Sequence, residues 1–244
     1  HMLKIKSYER VNSIAEAYEL NQKKSACVLG GMVWLKMGNR NISTAIDLSG
    51  LGLDTVQELE DEFVIGCMTT LHDLETNAAL NEFTGGAVRE SLRHIVGVQF
   101  RNCATVGGSI FGRYGFSDVL TMFLAMDTWV DMYQAGRIPL TEFVTQKKDR
   151  DILQSVIVKK TPLKVTYLSQ RNSETDLPVL TCAASLIGDM PRTVIGARPG
   201  RAMIVEDSEG ILKGFGEMTK KQKPQAAQDF ARYAAEHVPV GSNM

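Results

Sequence analysis

Two glycine pairs constrain the fold of this chain more than any other feature. In Val28-Leu29-Gly30-Gly31-Met32-Val33-Trp34 a short apolar strand runs into a diglycine and then toward a turn of helix. In Arg101-Asn102-Cys103-Ala104-Thr105-Val106-Gly107-Gly108-Ser109-Ile110 a second pair stands between hydroxyl residues, with Asp118 following eight residues later. Paired glycines let the backbone take positive φ and approach an anion closely, and the amides around them, with Thr105 and Ser109, are neutral donors suited to phosphate oxygens. Asp118 is spaced to accept from sugar hydroxyls. Either pair alone reads first as an ordinary tight turn. Two such bends, brought side by side by folding, suit a ligand with two phosphates, a dinucleotide.

A third segment, Ile65-Gly66-Cys67-Met68-Thr69-Thr70-Leu71, lies between them. In this order the three segments resemble the FAD-binding subunit or domain of the molybdenum hydroxylases, the xanthine dehydrogenase and carbon monoxide dehydrogenase group. The family's motifs read approximately Ala-Gly-Gly-Thr-Asp, Ile-Gly-Ala-Met-Thr-Thr-Leu and Arg-Asn-Val-Ala-Thr-Val-Gly-Gly-Asn-Ile, the last ending in Ser-Asp or Ala-Asp. The likeness covers residues 3–160 well and the remainder less well. It implies an α+β protein with the two-lobed FAD-binding fold of the PCMH type over residues 1–150, the lobes meeting near 55–60. A smaller C-terminal α+β domain, shorter or divergent, is expected over 151–244.

The resemblance also implies a site. Val28, Leu29, Gly30, Gly31, Met32, Val33 and Trp34 would pass along the FAD diphosphate, and Thr105, Gly107, Gly108, Ser109 and Asp118 would form the second contact. Ile95 and Leu153 fall at positions that pack near the isoalloxazine, although core packing is the generic expectation for each. Met32 and Val33 replace the family's Thr-Asp, which removes two side-chain hydrogen-bonding groups. A basic residue that some relatives place near the flavin falls at about Leu168, and Arg171 is a candidate substitute. The loop from Phe111 to Phe116 is bulkier than in the family. Two readings of it stand level: Arg113 reaches a phosphate or nicotinamide while Phe111, Tyr114 or Phe116 stacks on a ring, or all of them pack against a partner.

The implied function is electron relay. FAD would exchange electrons with the iron-sulfur clusters of a 2Fe-2S subunit, a molybdopterin-binding subunit would oxidise the substrate, and NAD or another acceptor would take the electrons. The cofactor carries that reactivity, so no acid-base triad is expected. The alternatives are a relative of the same fold that has lost FAD, and a nicotinamide-dependent oxidoreductase. The second lacks the Gly-x-Gly-x-x-Gly that a Rossmann loop requires.

Composition sets outer bounds. With 244 residues, 44% hydrophobic and 23% charged, the chain can bury a sizeable core. A net charge of −1 gives no electrostatic reason to expect nucleic acid. No apolar run is long enough to span a bilayer, and residues 1–4 lack the apolar core of a signal peptide, so a cytoplasmic protein is expected. Cys27, Cys67, Cys103 and Cys182 have no metal-ligand spacing and read as buried thiols, so no metal is assigned. His72 and His94 fall on predicted helices and receive no role.

Periodicity predicts an amphipathic helix over 7–20, strands at 26–29, 45–48 and 63–65, and a surface helix or turn at 54–62. A helix capped by Thr70 and one over 84–94 follow, then the glycine motif as a loop, then a helix from 117 capped by Ser117 or Asp118. Residues 136–139 read as a turn. Further strands are expected at 152–158, 165–168, 179–183 and 202–205, with a closing helix within 218–237.

Overall fold

The computed structural model describes residues 2–32, 35, 38–95, 97–173, 177–197, 202–214 and 217–237. Its strands form three sheets. Strands β1 (Lys4–Arg10), β2 (Ala26–Val28) and β3 (Asn41–Asp47) make a parallel sheet in the order β1-β3-β2. Strands β4 (Val56–Glu58), β5 (Glu62–Gly66), β6 (Thr128–Met132), β7 (Gly136–Pro139) and β8 (Leu153–Lys159) make an antiparallel sheet in the order β4-β5-β8-β6-β7. Strands β9 (Leu163–Gln170), β10 (Leu180–Ile187), β11 (Met190–Ala197) and β12 (Met203–Val205) close the molecule as a third, antiparallel sheet.

The helices fill the space between the sheets. Helix α1 (Ile14–Asn21) follows β1, and α2 (Leu71–Thr76), α3 (Ala78–Phe83), α4 (Ala87–Arg93), α5 (Val98–Cys103) and α6 (Val106–Phe111) form a chain of short segments after β5. All seven residues of α7 (Asp118–Leu124) are buried, which makes it the axis of the core. A short α8 (Leu140–Phe143) follows β7, and α9 (Gln222–His237) packs Phe230, Tyr233 and Ala234 against Val205. One continuous apolar cluster runs through Phe63, Ile65, Leu74, Val106, Phe123 and Val156. Each such side chain contributes about 1.5–3 kcal/mol relative to exposure.

Several elements differ from the periodicity reading. Residues 7–10 are strand, because β1 pairs in parallel with β3 from Lys4 to Arg10, and the helix starts only after Ser13, whose Oγ accepts from Glu16 N at 3.1 Å. The acidic stretch at 54–62 holds β4, folded back antiparallel on β5. Residues 136–139 are strand, not turn, because β7 pairs with β6 from Gly136 to Pro139. The glycine motif is two short helices, α5 and α6, rather than a loop. Strand β11 had no counterpart in the sequence reading.

The caps at Thr70 and Ser117 form as expected: Thr70 Oγ1 accepts from Asp73 N and Ser117 Oγ from Leu120 N, each at 3.1 Å. The expected change of domain at 150/151 precedes β8, whose two neighbours β5 and β6 both come from the preceding region. The change of sheet therefore comes between Lys159 and Leu163. Cys67 is buried and Cys27 and Cys182 are half-buried, but Cys103, expected to be buried, is exposed.

Candidate cofactor site

The third motif ties the site together. The chain leaving β5 at Cys67 to Thr70 runs beside residues 104–107: Leu71 N donates to Ala104 O, Val106 N to Thr69 O and Gly107 N to Cys67 O, each at 2.9 Å, and Thr70 and Thr105 form an antiparallel bridge. The two segments approach so closely that a methyl on Gly107 would lie 2.6 Å from the Cys67 carbonyl oxygen. Burial pushes the Cys67 thiol up to about 12, so it remains a neutral packing group.

The first bend arrives from the parallel sheet. Leu29 N donates to Ile46 O at 2.9 Å, the last ladder bond, after which Gly31 adopts φ +80° and Met32 φ +62°. Gly31 is pressed against the Cys103 carbonyl and Ala104 Cα, where any side chain would collide. Gly30 lies against the second bend: its missing methyl would sit 3.1 Å from Gly108 Cα and 3.2 Å from Thr105 Oγ1. The two diglycines are therefore in contact, as the sequence reading requires.

Their amides differ. In the second bend Val106 N and Gly107 N donate to Thr69 O and Cys67 O, Gly108 N donates to Thr105 Oγ1 at 3.2 Å, and Ser109 N donates to Thr105 O at 3.1 Å. The Ser109 hydroxyl also donates to Thr105 O, at 3.1 Å. In the first bend the N–H groups of Gly30, Gly31 and Met32 have no acceptor among the described residues. Among the described residues the first bend therefore keeps amides available for a phosphate, whereas those of the second bend bond to the protein itself. What the second bend offers is the Thr105 hydroxyl, which still has its hydrogen to donate while its oxygen accepts from Gly108.

Both bends open on a cavity of about 790 Å³, within the range of sites that enclose organic ligands. Of the predicted residues, Val28, Leu29, Gly30, Met32, Thr105 and Gly107 line it, as do Gly108, Ser109, Asp118, Ile95 and Leu153. Gly31 is turned to Cys103 instead. Val33 and Trp34 lie outside the described residues. A nucleotide diphosphate fits this wall: the bends lack side chains where they meet, three N–H groups of the first bend have no acceptor among the described residues, and the Thr105 hydroxyl lies against Gly30.

Asp118, in the cavity wall, is 4% exposed. Its Oδ1 accepts from the Tyr167 hydroxyl and its Oδ2 from Arg171 Nη2 at 2.6 Å. Burial pushes the Asp118 carboxyl above its ordinary value, with Tyr167 and Arg171 pulling it back, while burial and the neighbouring carboxylate push the Tyr167 hydroxyl well up. Leu168 is 67% exposed and points away on the outer face of β9. The basic group beside Asp118 is therefore Arg171, three residues further on.

The loop that carries Ile95 is held by Arg101, which is buried, donates from Nη1 to Ile95 O at 2.6 Å and pairs through Nε with Glu75 Oε2 at 2.7 Å. In the sequence Arg101 stands only as the start of a motif. Near β2, Arg150 straps the chain through Ala26 O at 3.0 Å and Lys24 O at 2.6 Å. Lys148 and Arg40 also line the cavity there. Burial, then the charges of Arg113 and Arg40, pull the Lys148 pKa down.

Arg113 does not line the cavity. It has φ +52°, and its guanidinium sits 3.7 Å from the Phe143 ring centre and donates to Phe143 O at 3.0 Å. Tyr114 and Phe116 do line it, stacked on each other with centres 5.5 Å apart. Among the described residues no group of three or more His, Cys, Asp or Glu side chains is placed to hold a metal ion.

Comparison with known proteins agrees with this geometry. Residues 3–162 match the family model of the FAD binding domain in molybdopterin dehydrogenase. The chain is 25% identical over 214 residues to the uncharacterized protein YgfM of Escherichia coli (strain K12), covering 84% of this chain and 79% of that protein. It shares its fold with carbon monoxide dehydrogenase from Hydrogenophaga pseudoflava (TM-score 0.81, 20% identity, 100% of this chain and 90% of that chain). It also superposes on reconstituted CO dehydrogenase from Oligotropha carboxidovorans (TM-score 0.83, 20% identity, 97% and 88%). The chain belongs to the family of FAD-binding domains of molybdopterin dehydrogenases, an oxidoreductase family, and its cofactor is FAD.

Proposed function

We propose that this chain is the electron-transfer subunit of a multi-subunit molybdopterin-dependent dehydrogenase or hydroxylase. It would pass electrons between the iron-sulfur clusters of a 2Fe-2S subunit and NAD or another acceptor, with substrate oxidised in a separate molybdopterin-binding subunit. The observation that carries this reading is the contact between Gly30 and Gly108 on the wall of one large cavity. A Cu,Mo-CO dehydrogenase has the same fold (TM-score 0.83, 19% identity), which supports partners of that kind.

Each part of the site has a role in this reading. The N–H groups of Gly30, Gly31 and Met32 and the Thr105 hydroxyl bind the diphosphate. Ile95, fixed by Arg101, and Leu153 provide apolar walls, and Tyr114 and Phe116 narrow the cavity and exclude water. FAD, when bound, supplies the redox chemistry; the residues position it and set the charge around it.

The test is direct. The full chain, incubated with FAD and desalted, is expected to be yellow and to retain about one flavin per chain. Tagged and recovered from its native host, it is expected to bring a molybdopterin subunit and an iron-sulfur subunit with it. A protein that stays colourless at saturating FAD, or that returns alone from gentle purification, contradicts the assignment.

A further inference from the structure

We propose that Arg171 and Asp118 act as a matched charge pair that keeps their wall of the cofactor cavity electrically neutral and thereby sets the reduction potential of the FAD held there. This rests on the FAD-relay reading above. Asp118 is the first residue of α7, the most buried helix, and both of its oxygens are engaged by groups on or just after β9. The Arg171 side chain is only 7% exposed and also donates from Nη1 to Ser169 Oγ. Tyr167 is 4% exposed. Both charged residues line the cavity together with His94 and Ile95.

Two opposite charges removed from water at one wall nearly cancel at a distance, but either alone would act through a low-dielectric medium on anything in the cavity. Reduced FAD carries more negative charge than oxidised FAD when its proton uptake is incomplete. An unpaired carboxylate at this wall therefore favours the oxidised form, and an unpaired guanidinium favours the reduced form. The arginine also has an architectural function, since it joins the third sheet to the helix that borders the cavity. The two functions make different predictions when the pair is cut from either side.

The experiment compares wild type, Arg171→Gln, Asp118→Asn, the double variant and Arg171→Lys. Each is the full chain loaded with FAD, with its potential read by spectroscopic titration at about pH 8.5. Arg171→Gln is expected to lower the potential and Asp118→Asn to raise it. Each shift should correspond to about tenfold in the ratio of affinities for the two redox forms, or about 30 mV for a two-electron couple. The double variant is expected to return close to wild type, and Arg171→Lys, which keeps the charge, to shift little. Wild type that takes up no FAD at all defeats the cofactor reading and this proposal with it. If wild type loads but both single variants move the potential the same way, or neither moves it, the cofactor reading survives and the charge-pair proposal is overturned. Loss of thermal stability in both single variants with unchanged potentials is the signature of a purely architectural pair and counts against it equally.

Discussion

The two glycine bends look interchangeable in the sequence, yet the structure uses them differently. Gly30, Gly31 and Met32 leave the end of a parallel strand and keep three N–H groups without acceptors among the described residues. Val106, Gly107 and Gly108 open a short helix whose amides are all occupied by Thr69, Cys67 and Thr105. Among the described residues the first bend leaves its amides without acceptors, whereas the second is thin, so that three chain segments can meet. A diglycine thus marks close approach of backbone, and only the hydrogen-bond inventory tells whether the approaching group is a ligand or the protein itself.

Substitutions can break this contrast or sharpen it. The largest effect is expected at Gly31, where an alanine would have both a positive φ and a collision with the Cys103 carbonyl. Gly31→Ala should cost about 3 kcal/mol and abolish FAD retention. Thermal melts together with flavin content after desalting measure both. Gly107→Ala, pushed against Cys67, should cost about 2 kcal/mol, lowering Tm by roughly 4–8 °C, yet recover FAD binding to within a few-fold once saturated. If Gly107→Ala instead loses FAD while keeping its stability, the division of roles is wrong.

Thr105→Val removes the hydroxyl that caps Gly108 and faces the first bend, with an expected loss of about 1 kcal/mol in stability and several-fold in FAD affinity by titration. The smallest effect expected is a gain. Met32 holds a left-handed conformation that asparagine tolerates better, so Met32→Asn should relieve strain, add an amide donor and tighten FAD about two- to fivefold in the same titration.

Much of this was legible in advance because the motifs carry geometry in their own residues. The contact between the bends, the caps at Thr70 and Ser117 and the buried face of α9 follow from local chemistry. The misreadings have a common cause. Residues 7–10 and 56–58 became strand through pairing with β3 and β5, partners distant in sequence or formed by folding back, and amphipathic spacing does not register such pairing.

The charged residues of the site were harder to foresee. Arg171 reaches Asp118 across 53 positions, and Arg101 acts on Ile95 and Glu75 through a fold of short helices. Leu168 shows the same limit from the other side: alternation along β9 turns it outward while Tyr167 turns in, so the basic group enters from a different position.

The central claim is that one diphosphate lies between two unlike bends, and a crystal structure of the full chain with FAD tests it most directly. The account predicts phosphate oxygens at about 2.7–3.2 Å from N–H groups of Gly30, Gly31 and Met32 and from the Thr105 hydroxyl, with Val106, Gly107 and Gly108 still donating to their protein acceptors. A diphosphate held by the amides of residues 106–108, or FAD bound away from both bends, would contradict it.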